Sequence, residues 1–270
     1  MQLDQELQNV SSVAIAGHIR PDGDCVGSCL ATYNYITTYY PQVKVCVFLE
    51  PIPRIFQFLQ GADKILEAKD SEESFDLCIV LDCGDATRLG DAVKFFETAK
   101  RTICIDHHVS NQAFADKNKI VADASSASEL VYDSMDPAKI TKEIAECIYT
   151  GMIHDTGVFQ YSCTSSHTME VAGCLMDLGI DYPTIVDKTF YEKTFAQNKI
   201  LGQALLKSRL YEDAECIASV ITQEEMAEFS VLPKHLDGIV SQLRMTKEAE
   251  VATLFPYTTL FRSSTCHRSL

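Results

Sequence analysis

The chain is short of several things that would have fixed its class at once. Its eleven cysteines include no C-x-x-C pair, and their odd number and scattered spacing argue against a disulfide framework. Cys46, Cys78 and Cys104 lie inside apolar, strand-like runs and read as buried reduced thiols. Cys25 and Cys29 are four apart on an expected helix, but no second cluster is present to complete a zinc site with them. No run approaches the ~18 apolar residues of a membrane span, and the first ten residues lack the apolar segment of a secretory signal. A cytoplasmic protein with no membrane partner is expected. Positive charge is also scarce: 23 Lys and Arg stand against 38 Asp and Glu, a formal net charge of −15. Such a surface repels polyanions and excludes a firm grip on long duplex nucleic acid. A short anionic substrate would need local positive charge, which bound divalent metal can supply.

What is present is an ordinary globular composition, 46% hydrophobic and 23% charged, in a chain of 270 residues. That length suits one large α/β domain and a smaller one. Short β-branched runs at 13–16, 43–49, 75–81 and 102–105 alternate with amphipathic stretches at 23–40, 54–59 and 91–100. This is the rhythm of βαβ units and a mostly parallel sheet. A short strand is expected near 120–122, then helices over 126–135, 138–154 and 164–178. The first domain should end near residue 187, with a connecting helix over 188–208. Strands at 209–211 and 216–221, helices at 223–229 and 236–245, and a strand from 251 then open a second α/β unit.

Four polar clusters fall at ends of expected strands or helices, where an open α/β sheet collects its functional residues. They are His18-Ile19-Arg20-Pro21-Asp22-Gly23-Asp24, Asp82-Cys83-Gly84-Asp85, Asp106-His107-His108 and His154-Asp155-Thr156-Gly157. Each alone has a plain structural reading: Asp22, Asp82 or Asp85 as a helix cap, His154 as a dipole partner at a helix C-terminus. Together they would crowd uncompensated charge into one crevice, and metal resolves that. Carboxylates mixed with imidazole suit Mn²⁺, with Mg²⁺ as the alternative, better than structural Zn²⁺.

These motifs, in order and across the whole first domain, resemble those of the DHH phosphoesterase superfamily, whose signature stands here at 106–108. Within it the chain is most similar to the branch of small bacterial oligoribonucleases that also dephosphorylate 3′-phosphoadenosine 5′-phosphate. The similarity is carried by Pro21-Asp22-Gly23-Asp24 with Gly27-Ser28, by Asn111 after the Asp-His-His run, and by Ala124-Ser125-Ser126 leading to Glu129-Leu130-Val131-Tyr132. The resemblance implies that His18 and Asp22 hold one metal, that Asp24, His107 and Asp155 hold the other, and that Asp82 bridges them. It makes Asp106 the residue that orients an imidazole, and His108 a phosphate contact or proton donor to the leaving oxygen. Two-metal activation of water for in-line displacement follows, with no covalent intermediate. Arg88, Ser125 and Ser126 are further substrate-contact candidates, whereas His167 and His235 read as surface residues.

The implied substrates are short RNA and nucleotides. A cyclic or linear dinucleotide is the alternative for the same site, pyrophosphate a further one, and a non-catalytic nucleotide-binding protein the rival of another class. A homodimer is compatible with the resemblance. The family's second domain ends in an Arg-Ser element and a glycine-rich stretch. No glycine follows Gly238 among the 12 present, and Arg262-Ser263 matches in letters only. Residues 209–255 are therefore expected to form an incomplete substrate-binding domain, and 256–270 a foreign tail.

Overall fold

The structure, a computed structural model, describes residues 1–211, 215–236 and 238–256. The expectations about Arg262-Ser263 and most of the proposed tail lie outside the described residues. The chain divides into two units, Met1–Tyr191 and Glu192–Leu270. The first boundary thus falls four residues beyond the expected one.

In the first unit six strands form one wholly parallel sheet: β1 Ser12–Ala16, β2 Lys44–Phe48, β3 Ile65–Leu66, β4 Leu77–Leu81, β5 Arg101–Asp106 and β6 Lys117–Ile120. Their order is β3-β2-β1-β4-β5-β6. The helices are α1 Leu3–Glu6, α2 Gly23–Tyr39, α3 Val93–Thr98, α4 Ala127–Tyr132, α5 Lys142–Asp155, α6 Ser166–Asp177 and α7 Tyr182–Val186. The expected helix at 54–59 is only a 3₁₀ turn over Arg54–Phe56, too short to pay for an α-helical nucleus. The strand expected at 120–122 lies earlier, as β6, whose Lys-Asn-Lys sequence gives no hydrophobic alternation to read.

Strand side chains alternate between the two faces of the sheet. Val13, Ile15, Leu77, Ile79, Leu81, Ile103 and Ile105 enter the larger core beneath α2, α4 and α5. Ala14, Ala16, Cys78, Val80 and Cys104 enter the other, where Phe48, Phe75 and Phe95 meet with centroids 4.1–5.8 Å apart. Cys78 and Cys104 are buried free thiols as expected, while Cys46 is only half-buried. The main helix packing is α2 against α5, and it depends on small residues. A Cβ on Gly27 would lie 2.5 Å from the Cys147 carbonyl oxygen and 2.9 Å from the Gly151 nitrogen.

The second unit holds α8 Phe195–Lys207, β7 Arg209–Tyr211, β8 Cys216–Ile221, α9 Gln223–Glu228, α10 Ile239–Arg244 and β9 Val251–Pro256. β8 pairs antiparallel with β7 and parallel with β9. Ile200, Ala204, Ile217, Ile221, Met226, Ile239 and Leu243 make its core. Among the described residues no helix is long and apolar enough to cross a membrane.

Candidate metal centre

The strand order reverses between β1 and β4, so the loops leaving these strands diverge and open a crevice at their carboxyl ends. His18 and Asp22 leave β1, Asp82 leaves β4, and His107 and His108 leave β5. Asp22 caps α2, its Oδ1 accepting from the Asp24 and Cys25 amides at 3.1 Å each. That cap turns Asp24, one residue inside the helix, into the protein, where it is fully buried. Asp155 is the last residue of α5.

These residues converge. His107 Nε2 lies 3.0 Å from Asp155 Oδ2, 3.6 Å from Asp82 Oδ1 and 3.9 Å from Asp24 Oδ2. His18 Nε2 lies 3.4 Å from Asp82 Oδ2 and 3.6 Å from Asp22 Oδ2. Asp82 therefore stands between two sets, with one oxygen toward each. It is 2% exposed, and its Oδ1 has no hydrogen-bond partner, a costly state for a buried carboxylate oxygen. Its backbone is held in the left-handed region (φ 51°), the strained geometry that aims the side chain. One atom from each of Asp24, His107 and Asp155 lies within 4.8 Å of the others, a spacing that suits a shared ion.

The electrostatics describe a site short of positive charge. Burial opposes the charged form of His18, yet Asp22 and Asp82 outweigh it and push its pKa up to about 11. His107 behaves alike: burial is overcome by Asp155 and Asp82, and its pKa also stands at about 11. Asp24 is driven well above the ordinary carboxylate range by burial, with the Asp82 and Asp155 charges adding to it. Burial likewise raises Asp155, against the pull of His107. For Asp82 the two imidazoles win over burial and lower the pKa. Four carboxylates, Asp22, Asp24, Asp82 and Asp155, face two imidazoles here, a balance that divalent cations would complete.

His108 borders this set, its Nδ1 3.7 Å from Asp82 Oδ1. Its Nδ1 pairs with Asp106 Oδ1 at 2.7 Å, and the other Asp106 oxygen accepts from Asn111 Nδ2 at 2.7 Å. Asp106, fully buried, thereby fixes the His108 ring and raises its pKa. With Nδ1 so engaged, Nε2 is the nitrogen left for a ligand.

Other expected residues go elsewhere. Ser125 and Ser126, expected as substrate contacts, are both buried: Ser125 Oγ donates to Glu129 Oε2 at 2.6 Å, and Ser126 Oγ caps α4 by accepting from the Glu129 amide. The capped α4 end aims the Ala127 and Ser128 amides at the two oxygens of Asp24, at 2.6 and 2.9 Å. The Ser126…Glu129 spacing signals a helix start in the sequence, but nothing there says that its amides hold Asp24. Arg88 is half-buried; its carbonyl accepts from the Ile19 amide at 2.7 Å, and its guanidinium forms no ion pair with the described residues. Asp85 is a cap, accepting from Thr87 N at 2.7 Å. His154 packs edge-on against Phe56 and Phe190, and burial lowers its pKa to about 4. His167 is exposed and pairs with Asp133, whereas His235 is half-buried and accepts from the Leu232 amide.

Known proteins resemble the chain over most of its length. A bifunctional oligoribonuclease and PAP phosphatase NrnA of Streptococcus mutans, a probable assignment, is 27% identical over 255 residues, covering 93% of this chain and 79% of that protein. The bifunctional oligoribonuclease and PAP phosphatase NrnA of Thermus thermophilus is 25% identical, covering 88% and 73%. The crystal structure of an exopolyphosphatase-related protein from Bacteroides fragilis superposes with a TM-score of 0.85 at 26% identity, over 92% of this chain and 76% of that one. The model of the DHH family N-terminal domain matches residues 12–152, the stretch that carries all of the clustered residues except Asp155. With its Asp-His-His run at the end of β5 and the switch-point crevice around it, the chain belongs to the DHH family of phosphoesterases.

Proposed function

We propose that this phosphoesterase uses two divalent cations, Mn²⁺ by preference, to hydrolyse short oligoribonucleotides and to remove the 3′-phosphate of 3′-phosphoadenosine 5′-phosphate. The observation that carries the reading is Asp82: a buried carboxylate with an unpartnered oxygen, flanked by His18 and Asp22 on one side and by Asp24, His107 and Asp155 on the other. His18 and Asp22 would hold one ion, Asp24, His107 and Asp155 the other, and Asp82 both. When bound, the ions supply the positive charge and the acidified water that in-line attack on a phosphate ester requires.

The chain's own residues do the rest. The α4 amides keep Asp24 correctly turned, and as N–H donors they favour its charged form against the burial that opposes it. His108, locked through Nδ1 by Asp106, presents Nε2 to the scissile phosphate and protonates the leaving oxygen. Arg88, whose carbonyl accepts from the Ile19 amide next to His18, is the basic residue we assign to a further phosphate. The first unit is the catalytic domain, and the second contributes substrate recognition. The two named relatives act, by their names, on oligoribonucleotides and on the nucleotide PAP, and this favours the same substrate class here. The acidic composition limits the nucleic acid to short pieces. A cytoplasmic setting, where thiols stay reduced, fits the free cysteines.

The test is hydrolysis by the Mn²⁺-loaded full chain of a two-nucleotide RNA, 3′-phosphoadenosine 5′-phosphate, a cyclic dinucleotide and pyrophosphate. The first two should turn over, and Asp82→Ala or His107→Ala should abolish the reaction. Preference for pyrophosphate or the cyclic dinucleotide would overturn the substrate assignment. Full activity in either variant would overturn the site.

A further inference from the structure

By sequence, Cys25 is one more buried thiol on a helix. In the fold its sulfur stands at the wall of the metal cluster. Cys25 lies in the first turn of α2, its amide held by Asp22 and its S–H directed to the His18 carbonyl at 3.9 Å. It is fully buried, and it comes this close because residue 17 has no side chain: a Cβ there would sit 2.3 Å from Cys25 Sγ. A ring nitrogen of His18, Cys25 Sγ and a carboxylate oxygen of Asp82 all lie within 4.8 Å of one another. Ligands of one ion, with bonds of about 2.0–2.3 Å, stand no more than about 4.6 Å apart, so a small adjustment would let all three share it.

The sulfur is not an isolated feature. Asp82 reaches the His18 side with Oδ2, 3.4 Å from His18 Nε2, while its unpartnered Oδ1 faces His107 across the centre. On the other side, Asp24, His107 and Asp155 offer no sulfur. The two halves of the centre therefore differ in softness.

We propose that Cys25 Sγ is an additional ligand of the ion held by His18 and Asp82, making this half of the centre a mixed nitrogen, oxygen and sulfur site that takes Zn²⁺ or Co²⁺ more readily than the other half does. The inference rests on the two-metal reading above. As the sulfur–metal bond forms, the thiol proton leaves to solvent. Thiolate selects softer ions than carboxylate does, so Zn²⁺ and Mn²⁺ should partition between the halves by chemistry alone.

The test is the absorption spectrum of the full chain titrated with Co²⁺, followed by Zn²⁺ competition. Visible cobalt bands report metal uptake, and a near-ultraviolet sulfur-to-cobalt charge-transfer band reports thiolate ligation. The wild type should show both. Cys25→Ser and Cys25→Ala should keep the visible bands, lose the charge-transfer band and weaken Zn²⁺ binding roughly tenfold or more, with Mn²⁺ affinity little changed. Cys29→Ser should retain both bands. Visible bands without charge transfer in the wild type, a measurement that needs no variant, would overturn the role of Cys25 and leave the metal centre standing. Charge transfer that survives in both Cys25 variants would likewise overturn it. No cobalt uptake at all would sink the two-metal reading along with it.

Discussion

The helix crossing beneath the metal centre gives the sharpest test of how packing supports chemistry. Gly151 on α5 faces the pair that positions Asp24. A Cβ added there would lie 1.9 Å from Ser128 Oγ, 2.7 Å from Ser128 Cβ and 2.7 Å from Asp24 Oδ1. None of these atoms has room to retreat. Asp24 and Ser128 are both fully buried, and the Ser128 amide already donates to that same Asp24 oxygen at 2.9 Å. Gly151→Ala must therefore push α4 away from α5 or turn the Asp24 carboxylate out of place. Overpacking of this kind costs about 1–3 kcal/mol. For a unit of this size each kcal/mol lowers Tm by about 2–4 °C. We expect a fall of about 2–12 °C by differential scanning calorimetry of the metal-free chain, and Mn²⁺ affinity weakened roughly tenfold or more by isothermal titration. The control is Gly173→Ala on α6, where the added methyl meets nothing within 4 Å. Better helix propensity should make that variant about 0.4–1 kcal/mol more stable. If Gly151→Ala and Gly173→Ala shift Tm in the same upward direction, with Mn²⁺ affinity unchanged, the claim that this crossing holds Asp24 is refuted.

Metal should stabilise the fold by linkage: at a hundred times its Kd, Mn²⁺ adds about 2.7 kcal/mol, or roughly 5–11 °C in Tm, and Asp82→Asn should abolish the rise seen in a thermal melt. His154 gives a pH dependence of known sign. Its pKa falls from 6.5 to about 4 on folding, so the unfolded chain binds the extra proton between these values, and the stability, fully present above pH 6.5, drains away as pH falls toward 4. The loss is at most about 3 kcal/mol, and urea melts at pH 4.5 and 7 of the metal-free chain should show a smaller difference in His154→Phe than in the wild type. Asn111→Ala frees one oxygen of Asp106 and loosens His108; kcat should fall roughly tenfold or more with KM little changed, and a rise in KM alone would contradict the positioning role.

Much of the scaffold was legible because it is local. The β-branched runs of β1, β2, β4 and β5 announce themselves, and β7 and β8 lie where the pattern puts them. Elements without a periodic pattern escaped or shifted: β3 has two residues and α1 four, and β6, expected at 120–122, starts earlier on Lys-Asn-Lys at an edge where few apolar residues are required. The four polar clusters could be read because strand ends in α/β sheets are where such residues gather.

The sequence by itself determined which side chains are available for chemistry, since Asp, His and turn residues in fixed order are covalent facts, and it determined the alternation of strand and helix, since periodicity is a property of neighbours. Only the tertiary structure decided how those side chains meet. The β3-β2-β1-β4-β5-β6 order brings β1, β4 and β5 side by side, which puts Asp82 between His18 and His107. Residues as distant as Asp24 and Ser128 are joined because α2, α4 and α5 pack over one face of the sheet. Likewise, Ser125 and Ser126 turn inward to Glu129, and Cys25 reaches the cluster because Gly17 leaves it room. Such contacts depend on burial and chain crossing, which act through space and leave no periodic trace along the chain.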